Sequence, residues 1–208
     1  CNPESQEREI QTMITAGKPK IIGRDVSVGE VMDEVMQDRF YYRRSDGGLT
    51  LSGGESLMQA DFASALLQAA HAMGINTAME STGFAPFRVI EEKILPHLDI
   101  YLMDIKHIDR EKHKFFTGVS NDLILDNARK IAASGQNLVI RVPVIPGFNA
   151  TEKEILEIAR FAATLPGVER LHLLPYHRLG MDKYAGLGRD YTLSNVQPPS
   201  NEHMQKLM

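Results

Sequence analysis

The sequence has 208 residues, enough for one domain with a sizeable core, and its 43% hydrophobic and 24% charged residues are ordinary for a globular protein. A net charge of −4 gives no electrostatic reason to expect a nucleic-acid partner. No apolar stretch reaches the roughly 18–20 residues of a membrane span, no signal peptide is visible, and the single cysteine allows no internal disulfide. We therefore expect a cytoplasmic monomer without membrane contact.

Strands and helices are predicted to alternate along most of the chain. Residues 1–26 lack a clear apolar period, and residues 16–19 have the composition of a loop. The first helix follows a cap at Asp25 or Ser27, and Thr151 with Glu154 forms the pattern of a capping box. Strands are predicted at 49–52, 76–80, 99–105, 138–145 and 170–174, and helices at 28–36, 59–73, 86–95, 123–133, 151–165 and from about 199.

This alternation defines the fold class as α/β. The predicted strands are mostly apolar on both faces, as parallel strands covered by helices should be. Alternating β and α units in one domain form either a doubly wound sheet or a barrel-like arrangement. Because right-handed crossovers bring the carboxyl ends of such strands to one face, the residues that follow the strands are expected to lie together.

Every predicted strand ends in glycine or in polar and charged residues. Glu55 follows the Gly53-Gly54 pair, whose bare backbone permits close contact with a ligand. The other ends carry Glu80, Ser81, Thr82, Gly83, Asp104, Ile105, Lys106, Arg141 and His177. Barrel folds place their active sites at this face, so the set together favours a binding site.

Each of these residues also has a purely structural interpretation. Glu55 could cap the following helix, and Asp104 could form an ion pair with Lys106, since residues two apart on a strand share a side. Arg141 could neutralise a neighbouring carboxylate, and His177 could be an exposed loop histidine.

The mixture of charges indicates the kind of ligand. Lys106 and Arg141 suit a carboxylate or phosphate, whereas carboxylates suit an ammonium group or ribose hydroxyls. A zwitterion that carries a ribose satisfies all of these groups. The sequence shows no Ser–His–Asp order, metal triad, Walker loop or Gly-x-Gly-x-x-Gly motif, which disfavours hydrolases and common nucleotide sites.

The ordered motifs resemble those of the radical S-adenosylmethionine (SAM) activating enzymes of glycyl radical enzymes, the pyruvate formate-lyase-activating type. The resemblance covers about residues 24–208 in one unbroken order. It is carried by GGLTLSGGE at 47–55, ESTG at 80–83, LMDIK at 102–106, RVPVIPG at 141–147, LLPYH at 173–177 and GMDKY at 180–184.

This resemblance implies a partial (β/α)6 barrel, and a [4Fe-4S] cluster held by three cysteines in a Cys-x3-Cys-x2-Cys loop. It implies that SAM is cleaved reductively to a 5′-deoxyadenosyl radical, which takes a hydrogen atom from a glycine of the partner enzyme. Gly54 and Glu55, with Gly53 before them, correspond to residues that meet the methionine amino group. Asp104, Ile105 and Lys106 correspond to the methionine and ribose segment, Arg141 to the carboxylate end, and His177 to the ribose and adenine end, while Glu80 and Ser81 shape the pocket.

The amino-terminal region departs from the family pattern. Cys1 stands before an Asn-Pro-Glu segment, as the third cluster cysteine does, but one intervening residue and the other two cysteines are absent. We interpret residues 1–23 as a remnant of the cluster loop and insert region, and 24–208 as the barrel domain with its first strand missing or incomplete. Cys1 is the one candidate metal ligand, and the chain alone is expected to be inactive.

Two alternatives differ in function class from a radical activase. One is a degenerate relative that docks a partner protein without chemistry, which the missing cysteines favour. The other is a barrel enzyme for phosphate-bearing substrates, which lacks a glycine-rich phosphate loop here. For the activase, the resemblance implies a glycyl radical enzyme as protein substrate and flavodoxin or ferredoxin as electron donor.

Overall fold

The computed structural model describes residues 12–15, 18–21, 23–186, 188 and 190–208. The chain forms two compact units, one made of Cys1–Val26 with His177–Pro198 and the other of Ser27–Tyr176 with Pro199–Met208. Among the described residues, no helix is both long enough and apolar enough to cross a membrane.

The first unit contains an antiparallel hairpin and a short helix. Strands β1 (Thr12–Thr15) and β2 (Lys18–Ile21) pair in register from Thr12 opposite Ile21. The helix of this unit spans Met181–Gly186. The predicted loop at 16–19 is therefore wrong for Lys18 and Pro19, which belong to β2, while residues 16 and 17 lie outside the described residues. Proline fits this strand because the hairpin has only one partner for each strand.

The second unit is built on a parallel sheet whose strands follow chain order. Within the described residues it comprises β3 (Gly48–Leu51), β4 (Asn76–Ser81), β5 (Ile100–Asp104), β6 (Leu138–Val144) and β7 (Leu171–Pro175), in the order β3-β4-β5-β6-β7. A doubly wound sheet would reverse its order at a switch point, whereas sequential order is that of a barrel. Over the described residues the sheet is not closed, so the α/β fold is that of a partial barrel.

Helices connect these strands. They are α1 (Val28–Val35), α2 (Arg39–Ser45), α3 (Ala60–Ala72), α4 (Phe87–Val89), α5 (Arg110–Thr117), α6 (Asp122–Ala133) and α7 (Glu152–Ala163), with Asn201–Leu207 near the carboxyl terminus. A 3-10 turn (Ser56–Gln59) precedes α3, and α4 continues as a π-helical segment (Ile90–Ile94) and a further 3-10 turn (Leu95–His97).

Local signals start and stop these helices where the sequence predicts. Ser27, one of the two candidate caps, forms a reciprocal capping box with Glu30, and Thr151 forms the predicted box with Glu154. Gly74, just past α3, has φ +69°, a conformation that costs glycine little and other residues more.

Several helical features were not predicted, among them the helix Met181–Gly186 of the first unit. Helix α2 buries none of its residues and α5 buries only His113, so neither shows the apolar spacing that identifies a helix in sequence. The segment Phe87–Val89 and its continuation were predicted as one regular helix, but most of that segment is π-helical or 3-10. Ile90 and Ile94 of this segment are fully buried in the core.

The two faces of the sheet have opposite characters. One face packs against helices, and its fully buried side chains include Met79, Tyr101, Met103, Ile140 and Val142, in one core with Ile90, Ile131 and Ile158 of the helical segments. Alternate positions, such as Glu80, Asp104 and Arg141, are only partly buried. Because successive side chains point to opposite faces, the charged residues share the face away from this core, called here the open face.

Candidate functional site

Arg141 occupies the centre of a charged group on the open face. Its position on β6 is paired with Asp104 on β5, and the Arg141 Nη1 donates to Glu80 on β4. Arg141 Nε lies 3.5 Å from Asp104 Oδ1. The arginine side chain is 17% exposed, so it is shielded from bulk water while it faces both carboxylates. The predicted neutralisation of these acids by Arg141 is confirmed.

Lys106 completes this group. Its Nζ lies 3.3 Å from Asp104 Oδ2, which confirms the predicted ion pair between two residues on one side of the strand. We call Glu80, Asp104, Lys106 and Arg141 the charged quartet. The quartet holds two acids and two bases, so it is neutral overall but has separated charges. Such an arrangement favours a ligand that carries both a cation and an anion over one with a large net charge.

The ionisation of Glu80 is set by competing effects. Burial raises its pKa, but hydrogen bonds from Ser52 and Arg141 and the charge of Arg141 outweigh burial, so that the net pKa is lowered. The Ser52 hydroxyl donates to Glu80 Oε2 at 2.6 Å. Glu80 is therefore a carboxylate at neutral pH and can accept hydrogen bonds from an ammonium group.

Two atoms of the quartet retain unused hydrogen-bonding capacity. Asp104 Oδ1 and Arg141 Nε are buried and have no hydrogen-bond partner within the described part of the chain. Their separation of 3.5 Å is an ion-pair distance rather than a good hydrogen bond. An acceptor and a donor thus remain side by side, and buried groups of this kind usually have partners.

The turn after β3 exposes backbone beside the quartet strands. Gly53 has φ +123°, where a side chain would be strained, and both Gly53 and Gly54 are exposed. A Cβ at either position would meet no described atom within 4 Å. The glycines therefore leave the backbone peptide groups of the turn open to a ligand.

Glu55 is bound more completely than a free ligand-binding acid. Its Oε1 accepts from Ser81 Oγ at 2.6 Å and from Leu57 N at 3.2 Å, which confirms the predicted role as a helix cap. Its Oε2 accepts from the amide and the hydroxyl of Thr82 at 2.9 and 2.6 Å. The carboxylate consequently ties the glycine turn to the end of β4.

The remaining predicted site residues are either buried in the second unit or lie outside that unit's described residues. Ser81 is 5% exposed and Ile105 1% exposed, so the Ile105 side chain belongs to the core, and its amide donates to Arg141 O at 2.9 Å. His177 belongs to the first unit, and Cys1 lies outside the described residues. Searched over the described residues, the structure contains no group of three or more His, Cys, Asp or Glu side chains that could hold a metal.

Sequence reasoning missed a buried amide that supports the site. Asn149 is fully buried, and its Nδ2 donates to the carbonyl oxygens of Lys106 at 2.7 Å and Pro143 at 2.9 Å. Its Oδ1 accepts from Ile145 N at 2.7 Å. One side chain thus joins the loops after β5 and β6, immediately beyond Lys106 and Arg141.

Two further asparagines hold neighbouring loops in the same way. Asn127 Nδ2 donates to the carbonyl oxygens of Gly83 and Ala85 at 2.7 and 2.8 Å, and Asn121 Nδ2 donates to those of residues 107 and 108 at 2.8 and 2.7 Å. A sequence signal existed for Asn127, because it lies on the apolar face of α6 among positions that the helical period buries.

Glu154 anchors the loop that carries the quartet's lysine. It binds Lys112 of α5, and its Oε1 lies 3.3 Å from His107 Nε2. Burial raises the pKa of Glu154, but hydrogen bonds from Lys112, Thr151 and His107 together outweigh burial and lower the pKa to about 2. His107 Nδ1 accepts from the Asp109 amide, so Nε2 is the ring nitrogen whose N–H faces the carboxylate.

Comparisons with known proteins agree with this architecture. Residues 3–162 match the model of the radical SAM superfamily. The isethionate sulfite-lyase activating enzyme of Desulfovibrio desulfuricans is 48% identical over 178 residues, which cover 85% of this chain and 56% of that protein. The pyruvate formate-lyase-activating enzyme of Staphylococcus epidermidis is 35% identical over 188 residues, 88% of this chain and 75% of that protein.

A solved structure extends the comparison to the fold. The crystal structure of a domain of pyruvate-formate lyase-activating enzyme from Bacteroides vulgatus has a TM-score of 0.63 and 33% identity, covering 77% of this chain and 90% of that one. The chain belongs to the radical SAM superfamily, among the activating enzymes of glycyl radical enzymes. It spans about half (56%) of the length of the isethionate sulfite-lyase activating enzyme.

Members of this superfamily use SAM and a [4Fe-4S] cluster. The charged quartet, with its unused donor and acceptor, fits the zwitterionic methionine end of SAM. The sequence contains a single cysteine, Cys1, whereas a cluster of this type takes three or four cysteine ligands. The residues present therefore fit SAM but do not form a cluster site by themselves.

Proposed function

We propose that this chain is the SAM-binding barrel of a radical activase whose protein substrate is a glycyl radical enzyme. The observation that carries the proposal is the neutral charged quartet on the open face of β4, β5 and β6, beside the exposed glycine turn after β3. A zwitterionic amino acid group can find both of its counter-charges there without any net change in charge.

Each member of the quartet takes one part of the ligand. Arg141 and Lys106 bind the carboxylate, and Glu80 and Asp104 accept from the ammonium group. Arg141 Nε and Asp104 Oδ1, which lack hydrogen-bond partners in the described part of the chain, are the atoms with capacity to spare. The backbone oxygens of Gly53 and Gly54 are further acceptors for the same ammonium group, because both glycines are exposed and an added Cβ at either would meet no described atom within 4 Å.

When bound beside a reduced cluster that gives it one electron, SAM would supply a radical able to take a hydrogen atom from a glycine of the partner enzyme. This chain's own residues bind and orient the methionine end, and the partly buried quartet limits the access of water to it. His177 is expected at the ribose and adenine end, Ser81 behind the pocket wall, and Cys1 at the cluster.

The protein substrate is proposed only at the level of a glycyl radical enzyme. The motifs at 47–55 and 141–147 predict a partner of the pyruvate formate-lyase type, and this stays a prediction. The 48% identity to an isethionate sulfite-lyase activating enzyme, against 35% to a pyruvate formate-lyase-activating enzyme, favours a different target. A monomer that receives electrons from flavodoxin or ferredoxin completes the proposal.

The test uses the full-length gene product reconstituted anaerobically with iron and sulfide. We expect reductive cleavage of SAM to methionine and 5′-deoxyadenosine, and SAM binding measurable by calorimetry. Arg141→Lys keeps the charge but loses the forked geometry, and should weaken SAM binding about tenfold. Arg88→Lys is the matched control, because Arg88 is 82% exposed and its ion pair among the described residues is with Glu92 one turn away.

Two results would refute the proposed function. One is the absence of SAM binding in protein that carries its full cluster. The other is equal SAM affinity for Arg141→Lys and Arg88→Lys, because the quartet would then have no part in binding.

A further inference from the structure

Glu55 faces away from the charged quartet. Its partner Ser81 follows Glu80 directly on β4, and successive strand side chains point to opposite faces. Glu80 therefore belongs to the open face, whereas Ser81 is buried on the face that packs against the helices. The carboxylate of Glu55 reaches around the end of β4 to this buried side.

The hydrogen-bonding capacity of Glu55 is already used. A carboxylate has about four acceptor positions, and Glu55 fills them with Leu57 N, Ser81 Oγ and the two donors of Thr82. A ligand could displace one of these bonds only by leaving a donor without its partner. The side chain is thus arranged to hold the turn rather than to bind a ligand.

Ser81 transmits this arrangement deeper into the core. Its hydroxyl donates its single proton to Glu55 and accepts from Gly83 N at 3.0 Å. The Ser81 oxygen can therefore accept from one further donor. Tyr101 on neighbouring β5 is fully buried on the same face, opposite Met79. A Cβ on Gly83 would lie 3.7 Å from its hydroxyl oxygen, which places that hydroxyl at the Ser81–Gly83 turn.

The Tyr101 hydroxyl is a buried donor without an acceptor among the described residues. It makes no hydrogen bond of normal geometry to any described atom. Burial raises the pKa of Tyr101, a hydrogen-bonding influence of Ser81 opposes that rise, and the nearby negative charge of Glu55 adds to it. Ser81 lies two residues beyond Met79, the β4 residue paired with Tyr101, and so on the same face of the sheet. Its Oγ, with acceptor capacity for one donor, is therefore a neighbouring acceptor for this hydroxyl.

We propose that Tyr101 is a positioning residue, which donates to Ser81 and through Ser81 and Glu55 fixes the Gly53-Gly54 turn in the orientation that meets the ligand. The proposal rests on the proposed function for the identity of that ligand as SAM. The order Tyr101, Ser81, Glu55 lets each hydroxyl donate one proton toward the carboxylate. The negative charge of Glu55 strengthens both bonds, because charge-assisted bonds are the stronger ones.

The experiment compares Tyr101→Phe, Ser81→Ala and the double variant in the full-length, cluster-loaded protein. Hydrogen exchange at Leu57 and Thr82 without ligand reports how firmly Glu55 is held. We expect exchange at both amides to quicken roughly fivefold in Tyr101→Phe and SAM affinity to fall by a similar factor, the effect of one hydrogen bond.

The double variant separates positioning from packing. If Tyr101 acts through Ser81, the double variant should resemble Ser81→Ala alone, whereas independent effects should add. Tyr41→Phe is the matched control, because Tyr41 is 71% exposed. The thermal midpoint is measured in parallel, since a purely structural tyrosine would lower it without changing SAM affinity.

Four outcomes decide the matter. Unchanged exchange at Leu57 and Thr82 in Tyr101→Phe, or fully additive effects in the double variant, would overturn the proposal. Faster exchange with weaker SAM binding would support it. Faster exchange in a protein that binds no SAM in any form would support the positioning of the turn and refute the proposed function instead.

Discussion

Replacing Asn149 by alanine tests how far the loops around the candidate site depend on one buried amide. The change removes three hydrogen bonds, to the backbone of Lys106, Pro143 and Ile145, at 2.7, 2.9 and 2.7 Å. Each such bond contributes about 1 kcal/mol net, and a buried backbone group without a partner costs about 1–3 kcal/mol.

The expected loss is about 3–5 kcal/mol in the free energy of unfolding, since partial relaxation lets water or neighbours reach some of the stranded groups. For a domain of this size that corresponds to a thermal midpoint lower by roughly 10–15 °C. Urea unfolding followed by circular dichroism measures the free energy directly, and differential scanning calorimetry gives the midpoint.

Two further variants sharpen this measurement. Asn149→Asp retains the acceptor for Ile145 but loses both donors and brings a carboxylate against two carbonyl oxygens, so it should be at least as destabilising. Asn137→Ala is the control, because the Asn137 side chain is exposed. A loss below about 1 kcal/mol for Asn149→Ala, or one equal to the control, would refute the reasoning.

Two other predictions concern charge and backbone contact. The pKa of Glu154 is lowered from its usual 4.5 to about 2. Its ion pair with Lys112 therefore stabilises the fold fully at pH values above 4.5. That stability should be lost as pH falls from 4.5 toward 2, and Glu154→Gln should flatten this part of a pH series of urea unfolding. A steep acid limb retained in Glu154→Gln would contradict the assignment. Gly48→Ala should destabilise by more than about 3 kcal/mol, because a Cβ would lie 1.8 Å from Asn76 O, whereas Gly29→Ala in α1 should be neutral or stabilising. Equal unfolding midpoints for these two glycine variants would refute the close approach of β3 and β4 at Gly48.

Much of the architecture was predictable because its signals are local. The capping boxes at Ser27 and Thr151 were read from residue types at fixed spacing, and each is present. All predicted strands were found within two residues of their observed bounds, since buried strands are apolar runs stopped by glycine or proline. Helices α2 and α5 were missed for the complementary reason: neither buries an apolar stripe.

The candidate site was predictable only in part. Residue spacing placed Asp104 and Lys106 on one side of a strand, and the structure confirms their ion pair. No spacing rule connects Asn149 with the carbonyl of Lys106, 43 residues earlier in the chain. Such contacts join loops that become neighbours only after the strands have paired, so local pattern contains no trace of them.

The sequence by itself determined which residues stand at the strand ends, because strand length, turn chemistry and the hand of the crossovers depend on local sterics. Only the tertiary structure decided what those residues do to one another. Glu80 and Ser81 are adjacent in sequence, yet strand pairing sends Glu80 to Arg141 on the open face and Ser81 to Glu55 on the buried one. The partner of each side chain depends on the register between strands, a long-range property that no single segment encodes.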